Sequence, residues 1–215
     1  MKHTSVLLIG FTAMILTMAG CKDDDSKSSG GGDLKAVAES ISSPTGSVES
    51  ADVAQGVGEA FAEKLANSDM VPAGESATVE CTAGGSVTAS GDSAGNNVTF
   101  NYNNCCEMAN CCIDGPGWMS QNVDGFLLCM SFDVTFDCEE VTGSYDMEYC
   151  QGEDGAAWYL VEFEGDTYAC TGYYDSETGG SWTIRDANGE WECQASCSGD
   201  TCTGSCTDGT NTYEW

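Results

Sequence analysis

Four cysteines fall within sixteen residues of the segment WECQASCSGDTCTGSC, residues 191–206, and they lie symmetrically about Gly199-Asp200. A two-residue turn that begins with glycine suits a type II′ hairpin, because glycine readily takes the positive φ needed at that position. Strands folded about this turn pair residues whose numbers sum to 399, which sets Cys197 opposite Cys202 and Cys193 opposite Cys206. Both pairs then occupy non-hydrogen-bonded sites on one face, where Cα atoms are about 4.5 Å apart, at the short end of the disulfide range. Two independent pairs thus satisfy one register, and a double cross-strand staple is expected. The competing reading is four thiolates holding zinc or cuprous copper, although the spacing C-x3-C-x4-C-x3-C lacks the C-x2-C knuckle that bends a chain around zinc.

The choice between staple and metal site depends on the compartment, and the other end of the chain addresses it. The opening MKHTSVLLIGFTAMILTMAGC has an early lysine, an apolar run from Val6 to Met18 and small residues before Cys21. Such a run is too short to span a bilayer comfortably and reads as an export signal, residues 1–20. Met18-Ala19-Gly20-Cys21 resembles the lipobox of bacterial lipoproteins. That resemblance implies cleavage before Cys21, acyl chains on its thiol and new N-terminus, and attachment to the cell envelope. Lys22, where aspartate favours inner-membrane retention in such proteins, points to the outer membrane. Residues 21–33 continue as KDDDSKSSGGGD after the cysteine, a stretch with nothing to bury, expected to be a flexible tether with a reach of roughly 20 Å.

Charge and histidine content narrow the chemistry. The formal charge is −29, and from Val71 onward 25 carboxylates face a single cation, Arg185. Such a surface repels phosphate backbones and anionic headgroups, so nucleic acid is not an expected partner and the membrane is reached through the anchor. The one histidine, His3, lies in the export signal. Ser-His-Asp and Cys-His catalysis and histidine-ligated metals therefore lack their imidazole. No enzyme activity and no cofactor are expected, with a carboxylate pair acting on a glycosidic bond as the remaining catalytic option.

Between residues 34 and 70 the apolar period is near four. Leu34, Val37, Ala38 and Ile41 share one face, Val53, Val57, Phe61 and Leu65 another, and Pro44 with Gly46 separates the two pieces. Gly56 and Gly58 weaken the second piece, so short helices docked on the main domain are expected. From residue 71 to 215 the period becomes two. SVTASG and NVTFNYNN flank a polar turn at residues 92–96. FLLCMSFDVTFDC alternates strictly, with Phe126, Leu128, Met130, Phe132, Val134, Phe136 and Cys138 facing a core and Cys129, Ser131, Asp133, Thr135 and Asp137 facing water. SYDMEYC, AWYLVEF, TYACTGYY, GSWTIR, EWECQASC and TCTGSCT continue the series. The expected fold is mainly β: one antiparallel domain of about eight to ten strands, a sandwich or a curled meander, rich in disulfides and preceded by short helices. The G-x-W strands and D-x-x-G turns after residue 172 resemble hairpin units of bacterial surface proteins, a resemblance that implies architecture alone.

Nine further cysteines precede the terminal hairpin. Folding the first hairpin brings Cys81 near Cys105 or Cys106, a third expected bridge. In NNCCEMANCC adjacent cysteines bridge each other only with strain, so each of Cys105, Cys106, Cys111 and Cys112 should reach a different partner in a loop knot, with redox or metal loading as the alternative. From Cys81 onward the cysteines number thirteen, which leaves at least one thiol unpaired or joined to another chain.

Three functions compete at this stage. The first is a lipid-anchored envelope module in a non-catalytic structural or binding role, with a protein or glycan partner. The second is metal binding by thiols or by acidic turns such as DANGE, which lacks the full calcium-loop ligand set. The third is carbohydrate binding or carboxylate-only glycoside cleavage, motivated by Trp118, Trp158, Trp182, Trp191 and Trp215.

Overall fold

A computed structural model describes residues 34–68, 78–91, 97–139, 142–199 and 201–215. The export signal, Cys21 and the tether lie outside the described residues. Twelve strands follow one another in chain order as hydrogen-bonded neighbours of one antiparallel sheet. They are β1 (Val79–Glu80), β2 (Gly84–Gly91), β3 (Asn97–Met108), β4 (Cys111–Val123), β5 (Phe126–Cys138) and β6 (Thr142–Gly152). The series continues with β7 (Ala157–Phe163), β8 (Asp166–Asp175), β9 (Gly179–Asp186), β10 (Gly189–Ser198), β11 (Thr201–Thr207) and β12 (Thr212–Glu214). Of sandwich and meander, this order is that of a meander. The strands beyond the expected eight to ten are β4 and the two short elements β1 and β12.

The described residues form two compact units, one drawn from Met70–Gln121 and Met130–Asp146, the other from Asp33–Asp69, Asn122–Cys129 and Met147–Trp215. In the first unit β2 and β3 pair as the alternation dictates, with Gly91 opposite Val98 and Thr88 opposite Asn101. Val98, Phe100, Tyr102, Met119, Phe132 and Val134 are buried there, and the rings of Phe100 and Phe132 stack at 6.4 Å. Strand β4 carries Gly115-Pro116-Gly117 in its middle, a composition that reads as a loop. Pro116 nevertheless sits opposite Asn101 and Gly117 opposite Phe100. A Cβ on Gly117 would come 2.7 Å from Cε1 of Phe132, so the missing side chain leaves room for that ring. Along β5 the outer half alternates as expected, but Cys129 and Ser131, expected in water, are buried. Cys129 is covered because it packs with Ala38 and Ile41 of the first helix, a contact that strand periodicity cannot announce.

The second unit holds two helices, α1 (Leu34–Ser42) and α2 (Ala51–Ser68). Of the expected stripes, Leu34, Ala38 and Ile41 in α1 and Val57 and Phe61 in α2 are buried, Val37, Val53 and Leu65 are half-buried, and α2 also buries Ala54 and Ala62. Helix α2 lies on the face of the sheet that presents Val161, Tyr168, Cys170, Trp182, Ile184 and Trp191. Helix α1 packs on residues of opposite parity, Leu160 and Ala169, hence on the other face. Burying a side chain the size of Phe61 or Ile184 contributes about 1.5–3 kcal/mol, and both are fully enclosed. The expectation of short helices fails for α2, which runs 18 residues through both glycines. Those glycines are contact points: a Cβ on Gly56 would run into the Phe163 ring, and one on Gly58 would lie 2.6 Å from Cζ2 of Trp182. The helix-propensity cost of about 1 kcal/mol each is offset by close ring packing.

Between the helices, residues 43–50 pass over the ends of β8 and β9. The amides of Thr45 and Gly46 donate to the Thr167 carbonyl at 3.1 and 3.0 Å, and the Ala187 amide donates to the Gly46 carbonyl at 2.8 Å. The Tyr168 hydroxyl donates to the Ser47 carbonyl at 3.4 Å.

Candidate functional site

The terminal hairpin has the register that the sum of 399 requires: Cys193 pairs with Cys206 and Cys197 with Cys202. Both pairs are disulfides, with Cα separations of 4.1 and 4.0 Å. Gly199 has φ 62°, as a turn opened by glycine needs. The inner bridge belongs to the core beneath α2, whereas Cys197 and Cys202, nearer the turn, are half-buried.

Of the two partners open to Cys81, the structure pairs it with Cys105, at a Cα separation of 5.4 Å. Cys106 joins Cys112, and Cys111 joins Cys138. Neither vicinal pair closes on itself. The expected loop knot is instead regular structure: Met108 pairs with Cys111 and Cys106 with Cys112, so residues 105–112 are strand ends flanking a tight turn. The remaining bridge, Cys129–Cys150, joins β5 to β6. Cys170 is a free thiol with no exposed surface, and burial raises its pKa far above the ordinary thiol range. At neutral pH it stays protonated, a poor nucleophile and a poor metal ligand.

The acidic turn DANGE contains the most densely bonded carboxylate among the described residues. Asp186 is 4% exposed. One oxygen accepts the amides of Asn188 and Gly189 at 2.8 and 2.9 Å. The other accepts the Val48 amide at 2.9 Å and the Trp191 indole N–H at 3.1 Å. This carboxylate ties the β9–β10 turn to the segment between the helices, and its lone pairs are occupied by protein donors. Among the described residues no group of three or more His, Cys, Asp or Glu is placed to hold a metal ion.

Of the five tryptophans proposed as sugar contacts, two are enclosed, and Trp118, Trp158 and Trp215 are half-buried. Trp182 and Trp191 are buried against α2. Trp158 is capped by the Arg185 guanidinium, 4.0 Å from its ring centre, and the same guanidinium donates to Glu190 at 3.1 Å. Trp215 packs on the core, 6.2 Å from Trp182.

The face of β8–β12 opposite α2 is built differently. Register places Thr171, Thr183, Glu192, Thr207 and Thr212 in one rank across five strands. The next rank is Tyr173, Ser181, Gln194, Ser205 and Glu214. Ser196 and Thr203 begin a third. Adjacent members stand about 4.8 Å apart across the strands. Tyr173 is 60% exposed, the one exposed aromatic side chain among the described residues. A shallow open dish of about 420 Å3 lies around β10–β12, lined by residues of both parities, Gln194, Ser205 and Glu214 together with Ala195, Gly204 and Trp215. Sequence alternation supplied these parities; which parity α2 covers, and where α1 covers the other at Leu160 and Ala169, is decided by helix docking.

At the two outer turns, carboxylates organise the backbone. Asp175 is held below the ordinary carboxylate range by the amides of Thr178 and Glu177 and the Thr178 hydroxyl. Asp208 is lowered by the amides of Asn211 and Thr210 and the Asn211 side chain. Both are satisfied within their own turns.

No family model matches this chain, and neither a curated protein nor a solved structure is similar to it.

Proposed function

We propose that this protein is a lipid-anchored module of the bacterial cell envelope with a non-catalytic binding role, displayed on a covalently laced β-sheet. The observation that carries the reading is the use of sulfur. Of the thirteen cysteines from Cys81 onward, all but Cys170 join strands or strand ends. Bridges of this density suit an oxidising compartment outside the cytosol, where each contributes about 2–4 kcal/mol. The lipobox-like sequence at residues 18–21 supplies the matching anchor, and the charge of −29 suits a surface that avoids phosphate and headgroups.

Mass spectrometry of the membrane-extracted protein, alkylated with and without prior reduction, tests the proposal. The expected result is an acylated Cys21 as N-terminus and, after denaturation without reductant, one alkylated thiol. A chain that keeps residues 1–20, or one with thirteen alkylatable thiols, would overturn it.

A further inference from the structure

We infer that the part of the β8–β12 face opposite α2 that α1 leaves open binds an extended polysaccharide that carries no acidic groups, with Tyr173 as the ring against which a sugar stacks; this names a ligand for the binding role proposed above and rests on it. Tyr173 heads a rank whose other members are Ser181, Gln194, Ser205 and Glu214. Five strands at about 4.8 Å spacing make that rank roughly 19 Å long, the reach of a short oligosaccharide. An exposed aromatic ring offers an apolar plate for the C–H face of a pyranose. Carboxylate, amide and hydroxyl groups in a row offer both acceptors and donors to its hydroxyls.

Charge selects among polymers. Glu192 and Glu214 stand on the face, and the one cation of the region, Arg185, is engaged by Glu190 and Trp158. Uronates, sulfated glycans, nucleic acids and a second copy of this acidic chain are therefore repelled. A protein partner would look for apolar anchors, whereas these ranks display mainly hydroxyl, amide and carboxylate groups around one phenol.

The test is calorimetric titration of the full-length acylated protein in detergent with cellohexaose, laminarihexaose, a glucosamine hexamer and an oligogalacturonate. Binding of at least one of the first three with Kd below about 1 mM is expected, with no heat from the oligogalacturonate. Tyr173→Ala should weaken binding at least tenfold, Glu214→Gln at least threefold, and the distant exposed Glu164→Gln not at all. Unchanged near-ultraviolet circular dichroism would show that the variants keep their packing. Silence from all three non-acidic oligomers, equal binding by the Tyr173 and Glu214 variants, or equal binding of the oligogalacturonate would each overturn the inference. Acyl mass and thiol count are read separately, so failure here leaves the envelope reading standing, whereas open thiols would sink that reading itself.

Discussion

Replacing Asp186 with alanine removes the acceptor of four hydrogen bonds at a site 4% exposed. The Asn188 and Gly189 amides sit in a partly exposed turn and can turn to water, but the Val48 amide and Trp191 indole N–H are buried. A buried donor left without a partner costs about 1–3 kcal/mol. Two of them, with part of the turn's own bonds, give an expected loss of about 3–5 kcal/mol, a large fraction of the 5–15 kcal/mol that holds a typical domain. Asp186→Asn is the sharper probe because it preserves shape. Its single carbonyl oxygen can serve one pair of donors, while the amide –NH2 is turned against the other pair, so about half the loss is expected, on the order of 2 kcal/mol. Guanidinium unfolding with the disulfides intact, followed by tryptophan fluorescence, reads this: the midpoint should fall in the order native, asparagine, alanine, with the slope unchanged. Hydrogen exchange at Val48, Gly46 and Ala187 should rise in both variants. If both stay within 0.5 kcal/mol of the native protein, a threshold set against the 1–3 kcal/mol cost per orphaned donor, the reasoning fails.

The disulfides should rank by loop length and position. Converting Cys193 and Cys206 to alanine opens a loop with sequence separation 13 and should cost roughly 3 kcal/mol, against roughly 2 kcal/mol for Cys197 and Cys202 at separation 5, both read by thermal unfolding. Cys170 should resist iodoacetamide in the native protein even at pH 9 and react as one thiol in guanidinium; native labelling would contradict its burial. Gly58→Ala, which gains helix propensity, should nevertheless destabilise by about 1–2 kcal/mol because the new methyl meets the Trp182 ring. For Asp175 and Asp208 the folded pKa is depressed, so their contribution is present above the unfolded carboxylate value and lost as pH falls through the folded one. Carbon-detected titration should find both below an ordinary aspartate, and Asp208→Ala should speed hydrogen exchange at Gly204 and Thr212.

The terminal hairpin could be read from sequence because its information is local: a glycine-led turn and two cysteine pairs agree on one register. The alternation of β5 and the stripes of α1 and α2 were legible for the same reason. Strand β4 was not, because Gly115-Pro116-Gly117 carries loop chemistry, and only packing against Phe132 explains the glycine that follows the proline. Burial of Cys129, the uninterrupted course of α2 and the bond from the Val48 amide to Asp186 all depend on contacts between residues more than twenty positions apart, which periodicity does not encode. Tyr173 and Tyr174 are neighbours of one type, one exposed and one enclosed. Their difference arises from the docking of a helix more than a hundred residues earlier.

Each bridge encloses at least one turn between neighbouring strands, and this bears on what a protease can achieve. A cut within residues 92–96, at 109–110, at 124–125, within 139–141 or at 199–200 leaves both new ends fastened to the same fabric, since Cys81–Cys105, Cys106–Cys112, Cys111–Cys138, Cys129–Cys150 and Cys197–Cys202 span those places. The turns near residues 153–155, 164–165, 176–178 and 187–188 have no such insurance, and a single scission there frees a separate piece once the fold loosens. A nicked molecule run on a gel without reductant would therefore keep its full mass in the first case and shed fragments in the second.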